Sequence, residues 1–155
     1  MVEGRIGVSH PATLRIEADL ERLKDVRRFI REVAPALGAD ESAVNDLVQS
    51  VDEWVTNVIV HGYGSSGGPV EIELTSEAGE IVARVRDKAP GFDPATAPAF
   101  DPELPLERRP MGKMGIHLIR ELCDRFEHRV PIGGGNETTF ARRAVSAAEH
   151  PGGKA

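Results

Sequence analysis

The chain of 155 residues contains a single cysteine, Cys123, so no internal disulfide can staple it, and a cytoplasmic protein is expected. No stretch approaches the ~20 consecutive apolar residues that a bilayer crossing needs. The opening "MVEGRIGVSHPATLRIEA" has neither the basic nor the apolar region of a secretory signal. Positive charge is in deficit, 19 Lys and Arg against 25 Asp and Glu, and the formal net charge of -6 argues against a surface built to grip bare phosphate backbones. No nucleic-acid partner is expected, and no membrane. His10, His61, His117, His128 and His150 share no ligand spacing, and no G-x-S-x-G elbow occurs, so zinc chemistry and serine hydrolysis drop out. No internal repeat is present.

What is present is the composition of one soluble domain, 40% hydrophobic and 28% charged, with length for a single core. "ATLRIEA" alternates as a short strand, and Leu20, Leu23, Val26, Ile30, Val33 and Leu37 then recur at helical spacing up to Pro35 and Gly38. The basic residues of this helix, Arg22, Lys24, Arg27, Arg28 and Arg31, stand among acids, as on a solvated face; a docking surface for an acidic partner is the alternative. Asp40 is placed to cap a second helix with an apolar face of Val44, Leu47, Val48, Val51, Val55 and Val58, which runs out at "HGYGSSGGP". Strands are expected at 70–74 and 81–87, joined through "TSEAGE". Six of the eleven prolines fall between residues 90 and 110, a spacing that neither a regular helix nor a ladder strand survives, so this is a lid or an insertion. "MGKMGIHLIRELCDRF" restores helical periodicity, "FEHRV" is a further candidate strand, and "GGGNETTFARR" enters a last one. The order predicts an α+β sandwich with helices on one face of a mostly antiparallel sheet.

Three features in this frame could carry chemistry. In "DEWVTNVIVHGYG", Glu53, Asn57 and His61 are spaced by four, so the first two share a helix face and His61 drifts off it. That stripe lies opposite the valine face, where an amphipathic helix also puts its wet side, and periodicity alone leaves both readings open. Asp87 follows Val85, Ala83 and Ile81 in steps of two, so its carboxylate points inward as the strand ends; it either opens a turn or meets a ligand with an amino group. Gly112 and Gly115 frame the start of the following helix, where free N–H groups suit a phosphate. By contrast, "GGGN" at 133–136 opens no helix and reads as a hairpin turn.

Taken in order, E-x-x-x-N-x-x-x-H-G-Y on a helix, Asp then Gly-Phe-Asp-Pro after a strand, G-K-M-G-I-H-L-I opening a helix and G-N-E-T-T-F entering a strand resemble the GHKL (Bergerat-fold) ATPases. Within that superfamily the chain looks most like the bacterial anti-sigma-factor serine kinases. The resemblance implies a single histidine-kinase-like ATPase domain over 12–143, a two-layer sandwich on a mixed sheet, with an ATP lid at about 88–114 and loose termini at 1–11 and 144–155. It implies Glu53 as general base toward a protein serine, Asn57 as holder of the magnesium bridging the ATP phosphates, and Asp87 as acceptor of the adenine amino group. Gly91 would let the adenine loop pass close to the base. Gly112, Lys113 and Gly115 would meet the phosphates, and Thr138 would add a hydroxyl near the β-phosphate. His61 belongs to the pattern without an assigned role.

Two positions depart from the family pattern: Ala89 stands where its first loop glycine is usual, and Lys113 where glycine is common. The activity implied is transfer of the ATP γ-phosphoryl group to a STAS-type anti-anti-sigma protein, in a network where the kinase, as a homodimer, also restrains a sigma factor or another target. The alternative is a nucleotide-dependent sequestering module with little or no kinase activity. The ATP domain of a histidine kinase is a third reading, but no phospho-acceptor helix pair is evident in the chain.

Overall fold

A computed structural model describes residues 11–91 and 113–146. A five-stranded sheet is built from β1 (Ala12–Glu17), β2 (Pro69–Glu77), β3 (Glu80–Asp87), β4 (Arg125–Arg129) and β5 (Asn136–Arg143), in the order β1-β2-β3-β5-β4. Every pairing among the described strands is antiparallel, and with its helices the sheet makes the α+β sandwich expected; a parallel pair, which would make the sheet mixed, is not among them. The β2–β3 hairpin is tighter than "TSEAGE" suggested. Both strands run up to a two-residue turn at Ala78 (φ 50°) and Gly79 (φ 83°), the left-handed pair that matches strand twist.

Three helices, α1 (Leu23–Ala36), α2 (Glu41–Asn57) and α3 (Lys113–Leu122), accompany the sheet. Asp40 caps α2 as expected, accepting the Ala43 N–H at 2.8 Å, and its second oxygen accepts the Ser146 N–H at 2.7 Å, which ties the end of the described chain to that helix. Leu23, Val26, Ile30 and Ala34 make the buried stripe of α1, whereas Leu20 is half exposed in the 3-10 turn before the helix. The core lies between the helices and Ile16, Val70, Ile72, Leu74, Ile81, Ala83, Val85 and Phe140 of the inner sheet face. Trp54 of α2 is edge-on to Phe126 and Phe140, with ring centroids at 5.8 and 6.3 Å.

α2 is the central helix, touching α1, α3, β3 and β5. It is buried on more than one side, which decides what helical periodicity left open: Asn57 is buried and Glu53 half-buried, although both lie opposite the valine face. After Asn57 the helix does not simply run out. It widens into a π-helical turn, Val58–Tyr63, followed by a 3-10 turn, Gly64–Ser66.

The other sheet face carries paired charges. Arg86 on β3 reaches Glu71 (3.1 Å), Glu73 (3.3 Å) and Glu137 (2.8 Å), Arg15 joins Glu71, and Arg129 joins Glu137. Lying partly open to solvent, such pairs each contribute about 0–1 kcal/mol. Among the described residues, no helix is long and apolar enough to cross a membrane.

Candidate functional site

Strand parity places Asp87 on the inner sheet face at the last residue of β3, opposite Asn136 at the first residue of β5. The side chain is 5% exposed. Its two oxygens divide the two readings of the sequence. Oδ1 accepts the Ala89 N–H and Asn136 Nδ2, both at 2.9 Å, so it does open a turn. Oδ2 is buried with no hydrogen-bond partner among the described residues. Burial raises the carboxyl pKa, while the bonds from Asn136 and Ala89 and the nearby His128 pull it down.

Thr138 comes two residues after Asn136 on β5 and therefore shares the inner face with Asp87, opposite Val85. Its hydroxyl oxygen is also buried without a partner among the described residues. Two unsatisfied oxygens on adjacent strands, each carrying a desolvation cost of about 1–3 kcal/mol, mark a place where a ligand with donors would be gained rather than merely tolerated. A small cavity of about 20 Å³ bordered by Trp54, Asn57, Val58, Gly62, Ala89, Pro90 and Asn136 lies at this end of the sheet.

α2 supplies the second wall. Asn57 borders that cavity, and Glu53 lies one turn earlier in the helix. Burial, and then the neighbouring Asp52, raise the Glu53 pKa above the ordinary glutamate range. Asp52 itself is paired with Arg27 of α1 at 2.7 Å. The first turns of α3 cross over this carboxylate: a Cβ placed on Gly115 would stand 2.5 Å from Glu53 Oε2. Glycine at 115 thus lets the start of α3, with its free N–H groups, approach the Glu53 carboxyl group.

The loop after β3 is drawn in from both sides. Tyr63, at the end of the π turn, donates its hydroxyl to the Pro69 carbonyl at 2.7 Å and accepts the Lys88 N–H at 2.6 Å. A Cβ on Gly91 would meet Val130 Cγ2 at 3.0 Å, so its need for glycine is close approach. Ala89 is 1% exposed and does not have a positive φ; among the described non-glycine residues only Ala78 does. The glycine that the family pattern has at this position is therefore not required by the backbone here.

Asn57 thus shares a cavity with Ala89 and Asn136 beside Asp87, Thr138 follows on the same sheet face, Gly91 meets Val130, and Gly115 stands over Glu53, one helical turn before Asn57. Gly112 and the rest of the proline-rich segment at 92–112 lie outside the described residues, and Lys113 enters only as the first residue of α3. His61 is exposed. Asn136 and His128 are additions that sequence reasoning passed over. Counting back in twos from Phe140 puts Thr138 and Asn136 inward, but "GGGN" read as a turn hid the signal. No cluster of three or more His, Cys, Asp or Glu suited to a metal occurs among the described residues. Asn57 would have to hold an ion jointly with a ligand's own oxygens, as magnesium commonly is held beside phosphates.

Residues 16–142 match the family model described as the histidine kinase-like ATPase domain. An anti-sigma F factor from Clostridium acetobutylicum is 34% identical over 121 residues, 76% of this chain and 80% of that protein. The anti-sigma F factor of Clostridium kluyveri is 36% identical over 90 residues, and the matched stretch spans only 61% of its length. A serine-protein kinase RsbW from Oceanobacillus iheyensis is 27% identical over 72% of this chain and 73% of its own. The crystal structure of the RsbU and RsbW domains of a Mycobacterium tuberculosis protein superposes with a TM-score of 0.58 over 87% of this chain and 32% of that one, at 23% identity, a likeness of fold.

Proposed function

Because the chain belongs to the histidine kinase-like ATPase family, alongside the bacterial anti-sigma factors and their serine kinases, we propose that it is an ATP-dependent protein serine kinase that acts as an anti-sigma factor. Its substrate would be a serine on a STAS-type anti-anti-sigma partner, and its other partner a sigma factor or comparable regulator, with the kinase working as a homodimer. The observation that carries this reading is the pair of unsatisfied oxygens, Asp87 Oδ2 and Thr138 Oγ1, buried at the same end of the sheet as Asn57 and Glu53.

Asp87 Oδ2 accepts the amino group of the adenine, which removes the cost of its burial. The position of Thr138 on the same inner face supports a role at the nucleobase end rather than near the β-phosphate. Gly91 keeps the adenine loop close to the base, and Gly115, with Gly112 and Lys113 preceding it in the chain, would meet the phosphates at the start of α3. Asn57 would hold magnesium through its amide oxygen, and the ion supplies neutralisation of phosphate charge when bound.

Glu53 takes the proton from the partner serine hydroxyl as that oxygen forms its bond to the γ-phosphorus and the bond to the β,γ-bridging oxygen breaks. A half-buried carboxylate whose pKa is raised by burial is a stronger proton acceptor than an exposed one. Phosphoryl transfer asks chiefly for alignment and charge neutralisation, so one base, one ion and one helix end suffice without a covalent enzyme intermediate.

The test is to incubate the protein with labelled ATP, magnesium and its cognate STAS protein, comparing native chain with Glu53→Ala. Transfer by the native chain and its loss in the variant, with nucleotide binding kept, is the expected result. Equal transfer by both removes Glu53 as base. Binding without transfer by either identifies a sequestering module instead.

A further inference from the structure

The base end of the cleft is backed by a row of side chains reaching from β4 through β5 to β3. His128 Nε2 lies 2.8 Å from Asn136 Oδ1, and Asn136 Nδ2 donates to Asp87 Oδ1 at 2.9 Å. The amide turns its NH2 group toward the carboxylate and so presents its oxygen to the ring. An amide oxygen accepts only, and Nε2 of His128 therefore carries the proton and donates. Asn136 is 4% exposed, and the same NH2 group reaches the Pro90 and Ala89 carbonyls at 3.3 and 3.4 Å. Behind it the His128 ring is tilted against Trp54, centroid to centroid 5.8 Å.

This arrangement decides which carboxylate oxygen is available. Oδ1 is occupied by the Ala89 N–H and by Asn136, whereas Oδ2 is left as a buried acceptor with no donor among the described residues. Were the amide to turn over, its oxygen would confront Oδ1, and the carboxyl group would have to rotate or take up a proton. Rotation would move Oδ2 off the ligand, and protonation would let the group donate to a ligand oxygen. His128 opposes that flip from one side, because a flipped amide would set NH2 against N–H, and the Pro90 and Ala89 carbonyls that receive the same NH2 group oppose it from the other.

We propose that His128 and Asn136 are positioning residues that set nucleobase selectivity, locking Asp87 so that Oδ2 alone meets the ligand and the site prefers a 6-amino purine to a 6-oxo purine. The proposal rests on the nucleotide-binding reading above. A 6-oxo group would bring a lone pair against Oδ2, and a site built to receive a hydrogen bond discriminates strongly against a group that cannot give one. The selectivity would then be held jointly by Asp87 and by the two residues that orient it.

Calorimetric titration with Mg·ADP and Mg·GDP, on the native chain, His128→Leu and His128→Gln, tests this. His128→Leu is expected to lower the ADP-to-GDP affinity ratio about fivefold or more, the loss of roughly one oriented hydrogen bond. His128→Gln, which keeps an N–H donor, should recover most of the ratio, a rescue that a merely packing role would not give. A folded His128→Leu variant with the native ratio overturns the proposal while leaving nucleotide binding standing. A native chain that binds neither nucleotide overturns both. Should His128→Leu fail to fold, the ¹⁵N spectrum of histidine in the native chain decides: a proton on Nε2 that shifts with ADP and not with GDP is expected, and a proton on Nδ1 alone refutes the relay.

Discussion

A methyl group built on Gly62 would stand 3.0 Å from the Cβ of Ala89. The two positions are complementary: the loop after β3 carries an alanine where the resemblance leads one to expect glycine, and the π turn beside it carries a glycine that makes room. Ala89 cannot easily withdraw, since its N–H is given to Asp87 and its carbonyl receives Asn136. Gly62→Ala should therefore destabilise the protein by about 1 kcal/mol through overpacking, and Ala89→Gly introduced alongside should return part of the loss. Thermal melts of both single variants and the pair check this, and strict additivity would show that the contact is not shared.

Asp87→Asn keeps an acceptor for Ala89 and Asn136 but replaces Oδ2 by a donor. Loss of a buried donor–acceptor match costs about 1–3 kcal/mol. Direct titration should show nucleotide affinity falling by roughly 5- to 150-fold with an unchanged far-ultraviolet spectrum. Native affinity in the variant would remove Asp87 from the site.

Glu53 provides a pH signature. Burial and Asp52 raise its pKa in the folded chain, so phosphoryl transfer should fall away on acidification at a higher pH than an ordinary glutamate would dictate. Stability changes in the opposite sense. Between the unfolded and the raised folded pKa the native state holds more proton than the unfolded one, so stability falls as pH rises through that window. Glu53→Gln should flatten the slope by the share Glu53 contributes, with the raised pKa of Asp87 leaving a remainder of the same sign, as pH-dependent melts would reveal, and slow transfer by about 10²- to 10⁴-fold while sparing nucleotide binding.

Gly115→Ala puts its methyl carbon 2.5 Å from Glu53 Oε2. A half-buried glutamate has flexible torsions to yield with, so the fold should survive and the carboxylate should be displaced. Rates of transfer should then drop by an order of magnitude or more, about what a 1 Å misplacement costs, with ADP affinity changed much less. An equal fall in both would point instead to a repacked α3.

The sequence was most informative where a simple period meets a boundary. Asp87 could be assigned inward because Val85, Ala83 and Ile81 precede it in steps of two, and Asp40 could be assigned as a cap because a polar residue with a short acceptor side chain precedes an apolar period. Glu53 and Asn57 were ambiguous for a physical reason: whether the face opposite the valines is wet depends on α3 and the strand ends, which are distant in the chain. Asn136 was hidden by three preceding glycines that suggested a turn extending one residue too far. The link from His128 to it needs the β4–β5 register, which no local pattern supplies.

The π turn after α2 is also where the chain can change length. It winds six residues, Val58–Tyr63, into a coil wider than an α-helix. Removing one residue there would let the segment relax into regular α-helical hydrogen bonding, and the shorter, tighter coil would turn about as far as the wide one, so the chain beyond it would keep its direction. With the exposed Val60 as the residue lost, Gly62 would stay beside Ala89 and Tyr63 would keep its bonds to Lys88 and Pro69. One deletion here should therefore be gentler than in the regular turns of α2: the wide coil stores a spare residue.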